Sequence, residues 1–432
     1  MDEARSQEQS VAMRIRKLNL SALAAGLCFS LTVGCGVERL RTLGPNLQDP
    51  VPAEPVSPPR PVEPDESTYP PAVAGPEPVS LIGGVLGTAV LPARGDCKGT
   101  FTYVNFGFVS ANPGATGESQ GTALNDQQVV TGSSSNGFAG NFAAFRWTGP
   151  LIATHPAVFM GGSSRGTAIN ESGEIVGYMH VSYTDPPHAF VNRGGVMTDL
   201  GTGFGAGSSS AAFDVNEPGQ IVGQHVSSQR APIRAALWDK GVLRDLGTID
   251  GATHGADDIK YNTDSIAYAI NDQGQVVGTS FTKYSLALRA FLWTNGVMRD
   301  LGTLGSDAEA TQARDINNDG QIVGSSVTPA GATHAFSWVN GVMRDLGGYP
   351  GGSWAVSINE QGSIVGYSVN ASAELRAVLW EGGQLIDLNT ITSHLPAGLT
   401  LRTAVAINGN CAITGTARMP GKADRAFLLI RE

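Results

Sequence analysis

Oxygen-bearing side chains are concentrated in one stretch of the chain, residues 250–264. Asp257, Asp258, Asn262 and Asp264 fall there, and carboxylate and amide oxygens are the ligands that calcium prefers. Their spacing does not match an EF-hand loop, and acidic side chains are also common in ordinary surface loops. The stretch therefore predicts calcium as the one cofactor to consider, with an acidic loop that binds nothing as the alternative.

A serine motif at residues 162–166, Gly-Ser-Ser-Arg-Gly, has the spacing of the nucleophile elbow found in acyl-transfer enzymes. Such an elbow needs a strand before the serine and a helix after it, whereas this motif follows a glycine- and serine-rich stretch and leads into a strand. We interpret it as a loop. The sequence also contains no zincin motif, phosphate loop, dinucleotide fingerprint or Cys-x-x-Cys pair, and it predicts no catalytic residue.

The element that must position all of these side chains is a repeat. Segments of the type Ala-Ile-Asn-Asp-Gln-Gly-Gln-Val-Val-Gly recur seven times, marked by asparagines that lie 42 to 55 residues apart. Units of this length made of short extended runs are typical of propeller blades. No run has the apolar period of a helical solenoid, and the coils of a parallel β-helix are shorter. The marking asparagines are Asn125, Asn170, Asn216, Asn271, Asn317, Asn359 and Asn408.

The fourth unit, residues 265–305, shows how one blade is built. Asn295 and Gly296 form a strong two-residue hairpin signal, and a hairpin there pairs Trp293 with Met298. The predicted strands of this unit are residues 266–271, 275–282, 289–294 and 297–301.

Basic side chains recur near aspartates in these hairpins. The predicted pairing places Phe291 opposite Asp300 and makes Arg289 a diagonal neighbour of Asp300, close enough for an ion pair. A single such residue would be a candidate ligand or catalyst, but recurrence in five units indicates a structural tie at the blade edge. The other predicted pairs are His188 with Asp199, Arg234 with Asp245, His334 with Asp345 and Arg376 with Asp387.

Several of these motifs resemble a known family. His-Ala-Phe at 188–190 and 334–336, together with Asp-Leu-Gly-Thr-Leu-Gly at 300–305 and the asparagine segments, resemble the HAF-repeat family of bacterial extracellular proteins. The resemblance covers about residues 100–432. It implies a location outside the cell and supplies no catalytic residue.

The two ends of the repeat region are expected to share one blade. The last unit has three predicted strands, and an extra strand at 101–107 precedes the first unit. We predict that this strand is the outermost strand of the last blade and closes an all-β, seven-bladed propeller over residues 98–432. Cys97 and Cys411 then lie at the same blade edge. They predict a disulfide, with two unpaired thiols as the alternative.

The N-terminal residues have the pattern of an export signal. A basic stretch at 13–17 and an apolar stretch at 20–33 predict a signal peptide over residues 1–34, with Met13 as an alternative start.

Cys35 follows Thr-Val-Gly and resembles the lipobox cysteine of bacterial lipoproteins, although the family usually has leucine where Thr32 stands. This resemblance implies a lipidated Cys35 and an outer-membrane or cell-surface lipoprotein, with the lipid as the only membrane contact. Ordinary secretion is the alternative. Residues 35–97 are rich in proline and predict an extended stalk.

The net charge and composition limit the classes of partner that the protein is expected to bind. The 432-residue chain has a formal net charge of −10 and no basic stripe, so we do not expect nucleic acid as a partner. One open hypothesis is a monomeric, non-enzymatic module that binds a glycan, a protein or an envelope component, chiefly through the variable loop 250–264. The other is a glycan hydrolase or lyase with its site in the central channel.

The first strands of the units are expected to discriminate between these hypotheses. We expect none of them to add His, Asp or Glu to the repeat pattern, which favours the binding module. Two or more carboxylates in the central channel, together with His or Tyr, would favour the enzyme.

Overall fold

Seven sheets follow one another along the chain, and their inner strands form a closed ring. The computed structural model describes residues 96–104, 118–135, 142–148, 163–180, 185–203, 207–228, 231–251, 264–282, 287–306 and 309–432. The first strand of each sheet contacts the first strands of both neighbouring sheets, and the last contacts the first. The protein is therefore the all-β, seven-bladed propeller that the repeat predicts.

Blades two to six are four-stranded meanders whose strands pair in chain order. Blade one contributes three strands to the described residues. With β1 at Phe101–Val104, the strands of blade one are β2 Ser119–Leu124, β3 Val130–Ser135 and β4 Phe142–Trp147, and those of blade two are β5 Ser164–Ile169, β6 Ile175–His180, β7 Pro187–Arg193 and β8 Val196–Gly201. Blade three has β9 Ser209–Val215, β10 Ile221–Val226, β11 Arg234–Asp239 and β12 Val242–Asp245, and blade four has β13 Ser265–Ile270, β14 Val276–Phe281, β15 Leu288–Thr294 and β16 Val297–Asp300. Blade five has β17 Thr311–Ile316, β18 Ile322–Val327, β19 Thr333–Val339 and β20 Val342–Gly347, and blade six has β21 Ser353–Ile358, β22 Ile364–Val369, β23 Leu375–Glu381 and β24 Gln384–Asp387. Helix α1 Leu388–Ile391 and strands β25 Thr392–Ser393, β26 Thr400–Ile407, β27 Ile413–Arg418 and β28 Arg425–Arg431 complete the chain.

The N-terminal strand closes the last blade, as predicted, but it is not the outermost strand there. β1 pairs antiparallel with β28 and parallel with β25, so the sheet order is β25-β1-β28-β27-β26. Among the described residues, the connection from blade six differs from the others: a single helical turn, α1, leads into β25, which pairs with the free edge of β1. Residues 105–107 of the predicted strand lie outside the described residues.

A disulfide fastens the same closure. Cys97 and Cys411 are bonded, with their Cα atoms 5.4 Å apart, and both are buried. Cys97 also accepts a hydrogen bond at its Sγ from the side chain of Asn359, at 3.4 Å. The predicted pairing is confirmed.

The hydrophobic core consists of seven layers, each lying between two neighbouring blades. Between blades four and five, Ala269 and Val277 pack against Ile316, Ile322 and Phe336. Burying one such large side chain contributes roughly 1.5–3 kcal/mol. The layer between blades six and seven also takes in Cys97 and Phe101, so the N-terminal segment is part of the core.

A β-bulge interrupts the inner strand of every blade. In blade four, Ala267 lies opposite Gly278 and Ala269 opposite Val277, so Tyr268 is the extra residue. A Cβ at Gly278 would lie 1.9 Å from the carbonyl oxygen of Ile266, which only glycine avoids. The same close backbone approach recurs at Gly132, Gly177, Gly223, Gly324, Gly366 and Gly415.

The hairpins between third and fourth strands have the predicted geometry. Asn295 and Gly296 have φ values of 52° and 89°, as the two-residue turn requires. Trp293 pairs with Met298, and Phe291 with Asp300. Both pairings match the prediction.

Three of the five predicted ties beside these hairpins form as predicted. Arg289 Nε lies 2.9 Å from Asp300 Oδ2, and His188 and His334 contact their aspartates at the same distance. The Arg376 tie differs, because Arg376 contacts Glu374 at 3.2 Å while Asp387 caps α1 by accepting the N–H of Asn389. In blade three, Asp245 is 3.7 Å from His225, and the charge of Arg234 also acts on it.

Candidate functional site

The recurring asparagines tie the seven blades into a ring. Each Nδ2 donates to the main-chain carbonyl oxygen of the corresponding asparagine in the next blade, at 2.8–3.2 Å. The ring closes where Asn408 donates to the carbonyl oxygen of Asn125. Each Oδ1 accepts the main-chain N–H four residues further on. These buried side chains hold the blades together and offer nothing to a ligand.

The residues that directly follow these asparagines form a ring of acidic groups at the same end of the inner strands. Asp126, Glu171, Glu217, Asp272 and Glu360 each accept a main-chain N–H from the preceding blade. Burial raises the pKa of Glu171, and the charges of Asp126 and Glu217 add to that increase. This end of the channel is therefore acidic.

The bulge residues line the central channel. They are unpaired, half-buried members of the inner strands, and their side chains reach around the ring. Thr122 Oγ1 donates to the carbonyl oxygen of Gly166 in the next blade, and Thr167 Oγ1 does the same to Ala212. In chain order the bulge residues at this repeat position are Thr122, Thr167, Phe213, Tyr268, Arg314, Val356 and Val405; blade seven has a second bulge at Arg402.

Three consecutive blades place large side chains at this position, and we call Phe213, Tyr268 and Arg314 the aromatic arc. The rings of Phe213 and Tyr268 are 5.9 Å apart, and the Arg314 guanidinium lies over the Tyr268 ring at 4.7 Å. The other four blades carry threonine or valine there. The channel wall is consequently asymmetric, with an aromatic and cationic side facing a small-residue side.

The arc extends toward blade six. Trp354 stacks on Tyr367 with ring centroids 5.1 Å apart. Burial raises the pKa of Tyr367, and the charge of Arg314 opposes this shift, so the guanidinium is within electrostatic range of that hydroxyl.

Two carboxylates lie next to the bulges of blades three and five. Asp214 accepts the N–H groups of Val215 and, in the next blade, Ile270, at 2.9 and 2.8 Å. Burial raises the pKa of Asp214 to about 8, and the charge of Asp315 adds to the increase.

Asp315 repeats this arrangement two blades further on. It accepts the N–H groups of Ile316 and Ile358, both at 2.8 Å. Burial raises the pKa of Asp315 to about 6, and the Glu360 charge contributes. One carboxyl group that stays protonated near an ionised one is an acid–base pair in principle, but both carboxyl groups also join neighbouring blades.

The expectation that no first strand adds an acidic residue is wrong. Asp214 and Asp315 lie on β9 and β17. The signal was visible as Asp-Val-Asn and Asp-Ile-Asn where other units have alanine or serine two residues before the asparagine. The repeat can accommodate an aspartate at this position because each carboxylate accepts main-chain N–H groups of its own blade and of the next one.

The predicted calcium ligands are only partly described. Asp257, Asp258 and Asn262 lie outside the described residues. Asp264 Oδ1 accepts the N–H of Ile233 at 2.9 Å, which fastens that end of the loop to blade three. Within the described ranges, no group of three or more His, Cys, Asp or Glu side chains is placed to hold a metal ion.

The serine motif belongs to a strand. Ser164, Arg165 and Gly166 lie in β5, so the predicted loop ends before the motif does. Ser164 Oγ accepts the N–H of Ala144, and Ser163 Oγ donates to the carbonyl oxygen of Phe142. Both hydroxyls therefore join blades one and two, which explains why the strand begins here and excludes a nucleophile elbow.

No helix among the described residues is long or apolar enough to cross a membrane.

Comparison with known families gives one match. Residues 205–334 match a family described as a protein of unknown function (DUF3466). No curated protein matches the chain.

Solved structures with a similar arrangement have varied activities. TolB from Acinetobacter baumannii is 13% identical, with a TM-score of 0.38, over 68% of this chain and 62% of that one. A puromycin-hydrolyzing peptidase of Mycobacterium tuberculosis is 12% identical, with a TM-score of 0.48, over 76% of this chain and 54% of that one. The Aleuria aurantia lectin is 12% identical, with a TM-score of 0.34, over 66% of this chain and 98% of the lectin. The chain thus spans less than two thirds of TolB and of the peptidase, and no functional argument rests on these likenesses.

Proposed function

We propose that this protein is an exported, non-enzymatic binding module whose ligand docks against the aromatic arc of the central channel. The arc is the observation that carries the proposal. Aromatic side chains gain stability from full burial, yet Phe213 and Tyr268 are left half-buried at a position where four other blades have small residues. Their exposed parts suit contact with a sugar ring or a protein side chain, and an aromatic pair is worth about 0.5–1.5 kcal/mol.

The acidic ring at one end of the channel disfavours a negatively charged ligand. Its five carboxylates lie close to the axis, and like charges repel an approaching anion. A neutral or cationic glycan, protein or envelope component is therefore favoured over an anionic one.

The test exchanges the arc for residues that the fold already accommodates. The triple variant Phe213→Val, Tyr268→Val, Arg314→Thr installs side chains found at the same position in other blades. Val356→Thr is the matched control. Binding to arrays of glycans and envelope fractions should be lost in the triple variant and kept in the control. Equal binding by both proteins would move the ligand site away from the arc.

A glycan-active enzyme is the second candidate, and Asp214 and Asp315 favour it. Together with Tyr268 they provide two carboxylates and a tyrosine, the combination that was expected to favour an enzyme. Against this, each carboxylate accepts two main-chain N–H groups, and Asp315 also accepts a hydrogen bond from the Ser357 side chain. These contacts account for the two side chains without a reaction.

Turnover decides between the candidates. Alanine occupies the Asp214 position in blades one, two, four and seven, so Asp214→Ala should fold. Chromogenic glycosides should not be hydrolysed by the wild-type protein if it is a binding module. Hydrolysis that Asp214→Ala abolishes would make the protein an enzyme.

The location belongs to the same proposal. The signal-like segment 1–34, the lipobox-like Cys35 and the resemblance to the HAF-repeat family support export and anchoring at the cell surface. A proline-rich stalk would then hold the propeller away from the membrane.

A further inference from the structure

Two polar groups of the aromatic arc have no hydrogen-bond partner among the described residues. Arg314 lies over the Tyr268 ring, 4.7 Å from its centroid, but forms no hydrogen bond or ion pair with the part of the chain that the structure describes. The Tyr268 hydroxyl likewise forms no hydrogen bond there. Both side chains are half-buried, and none of their polar atoms is fully buried. A ligand in the channel can therefore reach both groups.

The two carboxylates nearest in sequence to the arc are already committed to other donors. Asp315 follows Arg314 in the chain, but it accepts main-chain N–H groups at 2.8 Å in its own blade and in blade six. Asp214 joins blades three and four in the same way. A guanidinium has five donors and no acceptor, whereas a tyrosine hydroxyl can both donate and accept. The arc therefore offers a ligand one group that only donates and one that can also accept.

We propose that the ligand of the arc is an N-acetylhexosamine unit of a glycan, an assignment that rests on the binding function proposed above. An acetamido group carries a carbonyl acceptor and an N–H donor on neighbouring atoms. The carbonyl oxygen accepts from Arg314, and the N–H donates to the Tyr268 hydroxyl. The Phe213 ring, 5.9 Å from that of Tyr268, supplies apolar surface for the acetyl methyl group and the C–H face of the sugar.

The charges around the channel favour an acetamido group over the other groups that an arginine binds. Carboxylates and phosphates pair well with a guanidinium, but the acidic ring repels an anion. An ammonium group is attracted by the acidic ring and repelled by Arg314. A hydroxyl group is neutral but has no methyl group to place against Phe213. The acetamido group is neutral and satisfies both polar groups of the arc.

Titration calorimetry of the protein at low salt tests the proposal with three matched trimers. Linear trimers of N-acetylglucosamine, glucose and glucosamine with the same linkage differ in one substituent per sugar, which is acetamido, hydroxyl or ammonium. We expect the N-acetylglucosamine trimer to bind at least about tenfold more tightly than either of the others, because only its acetamido group makes all three contacts. If the acidic ring alone determined affinity, the glucosamine trimer would bind most tightly.

Three variants locate the contacts. Arg314→Thr installs the residue found at this position in blades one and two, and Tyr268→Phe removes the hydroxyl but keeps the ring. Arg244→Thr is the matched control, because the Arg244 guanidinium also lies over an aromatic ring, 5.4 Å from that of Trp293, but belongs to the outermost strand of blade three. Blade two has threonine at that position. Melting curves establish that each variant is folded, and Tyr268→Phe keeps the test valid if Arg314→Thr misfolds.

The expected pattern is a loss of affinity for the N-acetylglucosamine trimer of about tenfold or more in Arg314→Thr and at least about threefold in Tyr268→Phe, with Arg244→Thr unchanged. Full affinity in both arc variants would overturn the proposal, as would the absence of binding by the N-acetylglucosamine trimer.

The triple arc variant separates this proposal from the one on which it rests. Equal affinity for the three trimers that the triple variant loses would overturn the N-acetylhexosamine assignment and leave the arc as the binding site. Binding that the triple variant keeps would overturn both. If none of the trimers binds, the assignment is wrong, and the arrays of glycans and envelope fractions still decide whether the arc binds another ligand.

Discussion

Replacing Asn271 by alanine should open the asparagine ring at one joint. Asn271 Nδ2 donates to the carbonyl oxygen of Asn317 at 3.1 Å and to Gln275 Oε1 at 2.7 Å, while its Oδ1 accepts the N–H of Gln275 at 3.0 Å. The side chain is 4% exposed, so water cannot readily replace it. The substitution leaves the N–H of Gln275 without a partner and removes one of the two hydrogen bonds to the Asn317 carbonyl oxygen, which keeps the N–H of Gly320 at 3.0 Å.

The magnitude follows from those two groups. An unsatisfied Gln275 N–H costs about 1–3 kcal/mol and the lost hydrogen bond to the Asn317 carbonyl about 0.5–1.5 kcal/mol, so Asn271→Ala should lower the free energy of unfolding by about 1.5–4.5 kcal/mol. Asn271→Asp should cost at least as much, because it sets a carboxylate oxygen against the Asn317 carbonyl oxygen. The Asn408 side chain makes the same contact across the closure, so Asn408→Ala should have a similar effect.

Chemical denaturation followed by tryptophan fluorescence measures the change. The control is Asp272→Ala, which removes an exposed acceptor of the adjacent acidic ring and should cost less than about 1 kcal/mol. If Asn271→Ala destabilises the protein no more than Asp272→Ala, the ring does not hold the blades together.

Four further predictions concern other features. The folded-state pKa of Asp214, about 8, lies above its ordinary value, so the folded protein keeps a proton that the unfolded chain releases. Stability should therefore fall as pH rises from about 4 to 8, by at most about 1.4 kcal/mol per pH unit, and calorimetry should find a flatter profile for Asp214→Ala; an unchanged profile would contradict the assignment. Gly278→Ala should cost more than about 3 kcal/mol in denaturant titrations, because its Cβ would clash with a carbonyl oxygen; a cost below about 1 kcal/mol would mean that the bulge can relax. Serine at both Cys97 and Cys411 should lower stability by up to about 5 kcal/mol, with an unchanged melting temperature as the contrary result. Cys35→Ser should shift the protein from membrane to soluble fractions, and unaltered fractionation would favour simple secretion.

Most of the fold could be predicted from the repeat, because the same local turn and strand signals occur in seven units. Asn-Gly at 295–296 specified a hairpin and, through it, the register of two strands. Cys97 and Cys411 could be paired because the incomplete last unit placed both at one blade edge. β25 was not predicted, since the segment that contains it, between the sixth and seventh units, does not follow the sequence pattern of the repeat.

The candidate site was harder to predict for a physical reason. A β-bulge is set by how two strands pair, and no turn residue announces it in the sequence. Without the bulge, alternation alone cannot tell that Phe213, Tyr268 and Arg314 all face the axis. The positions of Asp214 and Asp315 could have been read from the sequence, but their contacts with the next blade depend on the curvature of the ring.

The bulges also have a consequence for how such a protein can change. At each of the seven repeat positions, the bulge residue neither pairs with the neighbouring strand nor packs in a core layer. Its side chain is therefore less constrained by the fold than the other side chains of its unit. These seven positions can therefore differ from blade to blade while the rest of the repeat keeps the same structure. A substitution at one bulge position should leave the other blades unchanged. Binding of a new ligand could thus evolve by single substitutions at little cost in stability.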